Sequence, residues 1–219
     1  MVNYVSEEEH INIIKNLIAF LFDSPVGSDL VLKGGTALLL YHGLDRFSED
    51  IDLDASKVNI ENLLRIYCNN NKYKIRITKS TNTVKRYMID YNDEASLKVE
   101  VSYRNTTDRR YVDTFGKVRV YSLEKLFLNK INAFMSPNRN KIRDLYDIAY
   151  IYYQTDVNMT PELEDKLYDM FAYDNMDHVE RVIANHKDEI IPEKNIEGIR
   201  EAMYSIFYEL YPDNSCHDI

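Results

Sequence analysis

The chain has 219 residues, enough for one large domain or two small ones with a substantial core and no covalent staples. Its 27 basic and 36 acidic side chains give a net charge of −9, which taken alone argues against a basic nucleic-acid coat protein. A hydrophobic content of 45% excludes wholesale disorder, and Cys68 and Cys216 supply neither a disulfide framework nor the paired Cys/His spacing of a zinc finger.

The first residues carry no basic region followed by an apolar one, so no signal peptide is expected. The longest apolar runs, such as Leu17 to Phe22, are too short to span a bilayer, and a reducing cytoplasm is the expected compartment. Ser6 followed by Glu9 reads as a capping box. Behind it Ile11, Ile14, Leu17, Ile18 and Leu21 recur at helical spacing, and this helix ends near Ser24-Pro25.

Leu30-Val31-Leu32 predicts a short strand that runs into Gly34-Gly35-Thr36 and a helix from Ala37 to Tyr41. Asp50-Ile51-Asp52-Leu53 alternates as a second strand, and Ile60 to Tyr67 reads as a helix. From Tyr73 the period changes to two: Tyr73 to Ile77, Lys85 to Tyr91 and Leu97 to Tyr103 alternate as half-exposed strands do. Val118-Arg119-Val120 is one more short strand. Ser122 caps a helix through Phe134. A break at Ser136-Pro137-Asn138 precedes a helix over roughly Lys141 to Tyr153. The rest is helical in character, broken near Thr160-Pro161, Tyr173-Asp174-Asn175 and Ile191-Pro192. This order predicts an α+β core followed by an all-helical C-terminal part.

Charge is segregated along the chain. Residues 72–143 carry 17 basic and 7 acidic side chains, whereas residues 156–219 carry 5 and 16. The net of −9 therefore conceals a basic middle and an acidic tail. The tail reads as a solvated face, or as a dock for a basic partner or a second copy of the chain.

Two segments carry chemistry. In Lys33-Gly34-Gly35-Thr36 the glycines let a phosphate approach the backbone and the helix start offers free N–H groups to an anion. Alone this is a weak signal, and the spacing is not that of a P-loop. In Asp50-Ile51-Asp52-Leu53 both carboxylates point to one face of a strand while Ile51 and Leu53 point to the other. Two such carboxylates repel unless a cation lies between them, and hard oxygen donors favour Mg²⁺. In isolation the segment also reads as a surface strand with chance acids.

Together, a glycine turn and an Asp-x-Asp strand fourteen residues on resemble the plan of polymerase-β-type nucleotidyltransferases. Glu100 of Leu97-Lys98-Val99-Glu100-Val101 would supply the third carboxylate, as a metal ligand with Asp50 and Asp52 or as base to the attacking hydroxyl. The stretch LKGGTALLLYHGLDRFSEDIDL is similar to the signature of the AbiEii/AbiGii family of nucleotidyltransferase toxins. That family's second motif, a Lys on one helix and Arg-Asp-x-x-Asp on the next, has its counterpart in Lys130 and Arg143-Asp144-Leu145-Tyr146-Asp147. The resemblance covers roughly residues 30 to 150.

The resemblance implies a polymerase-β-type core with a mixed sheet over residues 1–120, and a helical domain over 121–219 that lends Lys130 and Asp144 to the site. It implies that Gly34, Gly35, Thr36 and Ser48 hold the phosphates of an NTP, with Arg46 neutralising them. Asp50, Asp52 and Glu100 would bind Mg²⁺, or Mn²⁺ in its place. Lys130 would reach the triphosphate, Asp144 would orient Lys130 or the nucleoside, and Asp147 would pair with an arginine such as Arg143. Lys33 is expected to be exposed.

The implied reaction is transfer of a nucleoside monophosphate to an acceptor hydroxyl with release of pyrophosphate. The acceptor would be RNA, such as a tRNA 3′ end, in a bacterial toxin–antitoxin or abortive-infection system. Two alternatives stand beside it: a small-molecule acceptor such as an aminoglycoside, and a non-catalytic nucleotide-binding module. His42 is expected to be solvated, His10, His178, His186 and His217 show no ligand spacing, and the tyrosines at helical spacing, Tyr146, Tyr150, Tyr152 and Tyr153, read as core and interface.

Overall fold

The computed structural model describes residues 6–212 apart from 57, 94, 105–108, 137–140 and 193–194. The Pro137-Asn138 break, Cys216 and His217 lie outside the described residues. The chain forms two compact units, Met1–Ser122 and Leu123–Ile219.

Among its described residues the first unit holds three α-helices, α1 (Glu7–Phe22), α2 (Gly34–Tyr41) and α3 (Glu61–Asn71), and seven strands. The strands are β1 (Leu30–Lys33), β2 (Asp50–Ala55), β3 (Lys74–Ser80), β4 (Val84–Asp90), β5 (Ser96–Ser102), β6 (Val112–Phe115) and β7 (Val118–Tyr121). They form one mixed sheet in the order β3-β4-β5-β2-β1-β7-β6, with β2–β5 and β1–β7 parallel and the other neighbours antiparallel.

α1 begins as its capping box predicts: the Ser6 hydroxyl accepts from the Glu9 N–H at 3.2 Å. Its apolar stripe, Ile13, Ile14, Leu17, Ile18 and Leu21, is buried. The expected alternation holds on the strands that carry the site. Ile51 and Leu53 of β2 and Val99 and Val101 of β5 are fully buried, which leaves Asp50, Asp52, Lys98 and Glu100 on the other face. Each buried aliphatic side chain stabilises by about 1.5–3 kcal/mol. A one-residue slip would exchange these four for carboxylates and ammonium groups, so register and site face are fixed together.

β6 is not signalled by alternation, because Asp113, Thr114 and Phe115 are all exposed on this edge strand. It pairs with β7 through a two-residue turn whose first residue, Gly116, has φ +62°. A glycine heading a two-residue turn is the hairpin signal that marks it.

The second unit contains α4 (Leu123–Phe134), α5 (Ile142–Gln154), α6 (Pro161–Phe171), α7 (Tyr173–Ala184) and α8 (Ile196–Leu210). Its core is built from Phe127, Ile131, Phe134, Leu145, Ile148, Leu167, Phe171, Met203 and Ile206, all at most 1% exposed. α6 starts where the Thr160-Pro161 break stands: Thr160 caps the Leu163 N–H at 3.3 Å and Pro161 occupies the first turn.

Candidate active site

The sheet brings the carboxylate strands together at defined positions. β2 lies parallel to β5 with Asp50 opposite Lys98, Asp52 opposite Glu100 and Asp54 opposite Ser102. On its other side β2 is antiparallel to β1, where Lys33 faces Asp52. β1 then turns directly into α2.

Helix α2 starts at Gly34, three residues before the Ala37 start expected from the apolar pattern, so both glycines lie in its first turn. Gly34 has φ +76°, and a β-carbon there would lie 2.7 Å from Oδ2 of Asp52. A β-carbon on Gly35 would lie 2.8 Å from Oγ of Ser48 and 3.2 Å from Nη2 of Arg46. Both glycines are thus required by close approach, and the first N–H groups of the helix have no partner within it.

Thr36 and Ser48 are buried. The Thr36 hydroxyl donates to the Asp50 carbonyl and stands 3.0 Å from Oγ of Ser48. Two hydroxyls expected on phosphates therefore bond each other and fasten α2 to the start of β2. Arg46 is only 8% exposed and donates from Nη1 to the Phe47 carbonyl at 2.8 Å, so this loop arginine is packed over the glycine turn.

His10 fixes the same segment from α1. Its Nε2 is 2.9 Å from the Glu49 carbonyl and its Nδ1 is 2.5 Å from the Tyr91 hydroxyl. A carbonyl only accepts, so Nε2 carries the proton and Nδ1 accepts from Tyr91. No spacing in the sequence marks this role, since the contact spans helix, loop and sheet.

The acids differ in their surroundings. Asp50 is met by the Lys98 ammonium. Glu100 receives Nε of Arg86 at 2.8 Å and Nη2 at 2.6 Å, both on Oε2. Asp54, fully buried, is held by Nζ of Lys33 at 2.5 Å and the hydroxyl of Tyr121 at 2.7 Å. Lys33, expected to be exposed, is half-buried because the buried Asp54 carboxylate needs a counter-charge. Asp52 makes no ion pair or side-chain hydrogen bond among the described residues. Burial first, and then the neighbouring Asp50 carboxylate, push its pKa above the usual range.

Among the described residues no three His, Cys, Asp or Glu side chains are gathered closely enough to hold a metal ion. Two of the three expected acids are paired with cations: Glu100 with Arg86 and Asp50 with Lys98. The donor chemistry nonetheless fits a hard divalent cation. Burial and Asp50 make ionisation of Asp52 costly, a cost that Lys98 and Lys33 only partly offset, and oxygen donors are what Mg²⁺ takes.

In the helical unit Lys130 is buried, with Nζ 3.2 Å from Oδ1 of Asp144 and 2.6 Å from Oδ2 of Asp147. Asp147 thus lies against Lys130 as well as on the helix that carries Arg143, which reaches Asp188 at 2.6 Å. The spacing explains this: residues three apart on α5 share a face. Elsewhere, the His42 ring stands edge-on to Phe115 at 5.9 Å. Burial pushes the Cys68 thiol up to about 11, which leaves it unreactive. Tyr67, Tyr87 and Tyr121 are core residues, whereas Tyr152 and Tyr153 meet Glu209 at the surface. No helix is long and apolar enough to cross a membrane among the described residues.

With this geometry, the chain is similar to JHP933 from Helicobacter pylori, at 27% identity over 96% of this chain and 97% of that one, with a TM-score of 0.72. It shares the fold of MenT4, a nucleotidyltransferase toxin from Mycobacterium tuberculosis, at 16% identity over 94% of this chain and 84% of that one, with a TM-score of 0.53. Compared with curated proteins, the chain finds no match. The family model for the nucleotidyl transferase AbiEii toxin of type IV toxin–antitoxin systems matches residues 17–213. The chain belongs to this family of nucleotidyltransferase toxins.

Proposed function

We propose that this nucleotidyltransferase transfers a nucleoside monophosphate from an NTP to a hydroxyl of RNA, such as a tRNA 3′ end, in a divalent-metal-dependent reaction. The observation that carries the reading is Asp52: partly buried, without a cation of its own, beside Asp50, and in contact with the first turn of α2.

Asp50 and Asp52 would hold Mg²⁺, or Mn²⁺, with Glu100 as the third carboxylate or as the base that takes the hydroxyl proton. When bound, the metal supplies charge neutralisation at the entering and leaving oxygens. The N–H groups of Gly34 and Gly35, which a helix start leaves without a partner within the helix, would offer donors to the phosphates, and Arg46 supplies positive charge over the same turn. Thr36 and Ser48 hold this turn against Asp50. Lys130 is the lysine of the second family motif, and we assign it to the triphosphate, oriented by Asp144 and Asp147. The acceptor oxygen bonds to the α-phosphorus, the bond to the β-phosphate oxygen breaks, and pyrophosphate leaves.

Family membership supports a cognate antitoxin and an NTP substrate. The basic middle of the chain supports an RNA acceptor in the cytoplasm, because phosphate contacts dominate such affinity. Incubation with total RNA and each α-labelled NTP tests the reading. Label on RNA supports it; label that appears only on an added aminoglycoside assigns the site to a small acceptor.

A further inference from the structure

A charged surface remains that the chemistry above does not use. Strand pairing lays two rows of side chains across the open face of the first unit. One row runs from Asp50 to Lys98, Met88 and Arg76; the other runs from Asp52 to Glu100, Arg86 and Lys79. Each begins at a carboxylate of the proposed metal pair and ends on a cation of β3, the edge strand. Neighbouring strands lie about 4.8 Å apart, so three spacings span about 14 Å.

On β3, β4 and β5 this face carries five cations, Lys74, Arg76, Lys79, Arg86 and Lys98, against two acids, Asp90 and Glu100. Three of the cations are engaged: Lys98 on Asp50, Arg86 on Glu100 and Arg76 on Asp90. Lys74 and Lys79 are exposed and make no ion pair or hydrogen bond among the described residues. Charges on an edge strand protect it against pairing with other chains. That need is met at β3 alone and does not account for the rows continuing inward through Arg86 and Lys98 to the carboxylates.

We propose that the open face of β5, β4 and β3 is the track for the sugar–phosphate backbone of the acceptor RNA. Its 3′ hydroxyl is delivered at Asp50 and Asp52, and its upstream phosphates run outward to Lys79 and Lys74. Lys98 and Arg86 form the inner end of the track, beside the reacting groups. The partner is a polyanion with regularly spaced charges, which matches cations arranged in rows better than a compact ligand does. The inference rests on the RNA-acceptor reading above.

The test uses the full chain and the double variant Lys74→Ala/Lys79→Ala, with fluorescein-labelled total tRNA as the probe. Anisotropy gives the Kd at several salt concentrations, calorimetry gives the affinity for NTP, and label transfer gives acceptance. Each phosphate contact with a single strand contributes about 0.7 to the salt slope, so losing two should flatten it by about 1.4 and weaken binding about 25-fold at 0.1 M salt. NTP affinity is expected to stay within about twofold, and Lys74→Arg/Lys79→Arg should restore RNA binding, because the contact is one of charge.

An unchanged Kd and slope in a protein that labels RNA overturns the track and leaves the proposed reaction standing. A parallel loss of NTP affinity also overturns it, since the outer lysines are placed on the acceptor alone. A wild type that labels no RNA overturns both. Unchanged RNA binding with lost binding of polyglutamate reassigns the face to an acidic protein.

Discussion

A β-carbon on Gly34 would lie 2.7 Å from Oδ2 of Asp52. The first turn of α2 and the carboxylate of β2 are therefore built against each other, and the proposed phosphate-binding backbone and the proposed metal ligand are one piece of structure.

Gly34→Ala should damage this contact twice. Its φ of +76° strains any side chain, at a cost of about 1–3 kcal/mol. The added methyl also displaces Asp52 by a fraction of an ångström to an ångström, a shift that costs about 10²-fold in rate. Initial rates of label transfer beside thermal melts check this. A variant that melts normally and transfers normally would show that the close approach has no catalytic meaning.

Asp52→Asn should stabilise the metal-free protein at neutral pH. The folded-state pKa of Asp52 is raised, so the folded protein binds more protons than the unfolded chain between the ordinary carboxylate pKa and the raised one. Stability contributed by the protonated form is thus present at low pH and lost as pH rises through that window. Melting temperatures measured against pH should show wild type and variant converging on acidification and the variant higher at pH 7. Added Mg²⁺ should raise the melting temperature of the wild type and not that of the variant.

Lys130→Met should cost stability as well as activity. It removes the buried ammonium that faces both Asp144 and Asp147, and breaking a buried pair from one side costs about 3–5 kcal/mol. Asp147 lies nearer to Lys130, at 2.6 Å, than Asp144 does at 3.2 Å, so Asp147→Asn should destabilise at least as much as Asp144→Asn. Denaturant unfolding of the three variants checks the order; a harmless Asp147→Asn would contradict it.

His10→Leu should loosen the segment before Asp50. It takes the imidazole away from the Glu49 carbonyl and the Tyr91 hydroxyl, at about 0.5–1.5 kcal/mol for each part-buried hydrogen bond. Hydrogen exchange should rise at residues 46–50 before it rises in the α1 core. Equal exchange in both would refute a specific clamp.

The elements that carry the proposed chemistry were readable because their side-chain periods are simple. Alternation in β2 and β5 predicts which face Asp50, Asp52 and Glu100 occupy, and the glycines before Thr36 predict a close approach. What a single sequence does not contain is register between distant segments. Lys98 meets Asp50 and Arg86 meets Glu100 only because β2, β5 and β4 are neighbours in one sheet. The same holds for His10, which joins residues 39 and 81 positions away. Asp147 shows a different limit: helical spacing places it beside Asp144, but the lysine of α4 that meets both is brought in by packing alone. β6 escaped because an exposed edge strand has no buried face to impose a period.

The central claim is that Asp50 belongs to the machinery of nucleotide transfer. The direct measurement is label transfer from each α-labelled NTP to total RNA, with wild type and Asp50→Ala compared at matched folded concentration. The account predicts Mg²⁺-dependent labelling by the wild type and background labelling by a folded Asp50→Ala. Full labelling by that variant would contradict it.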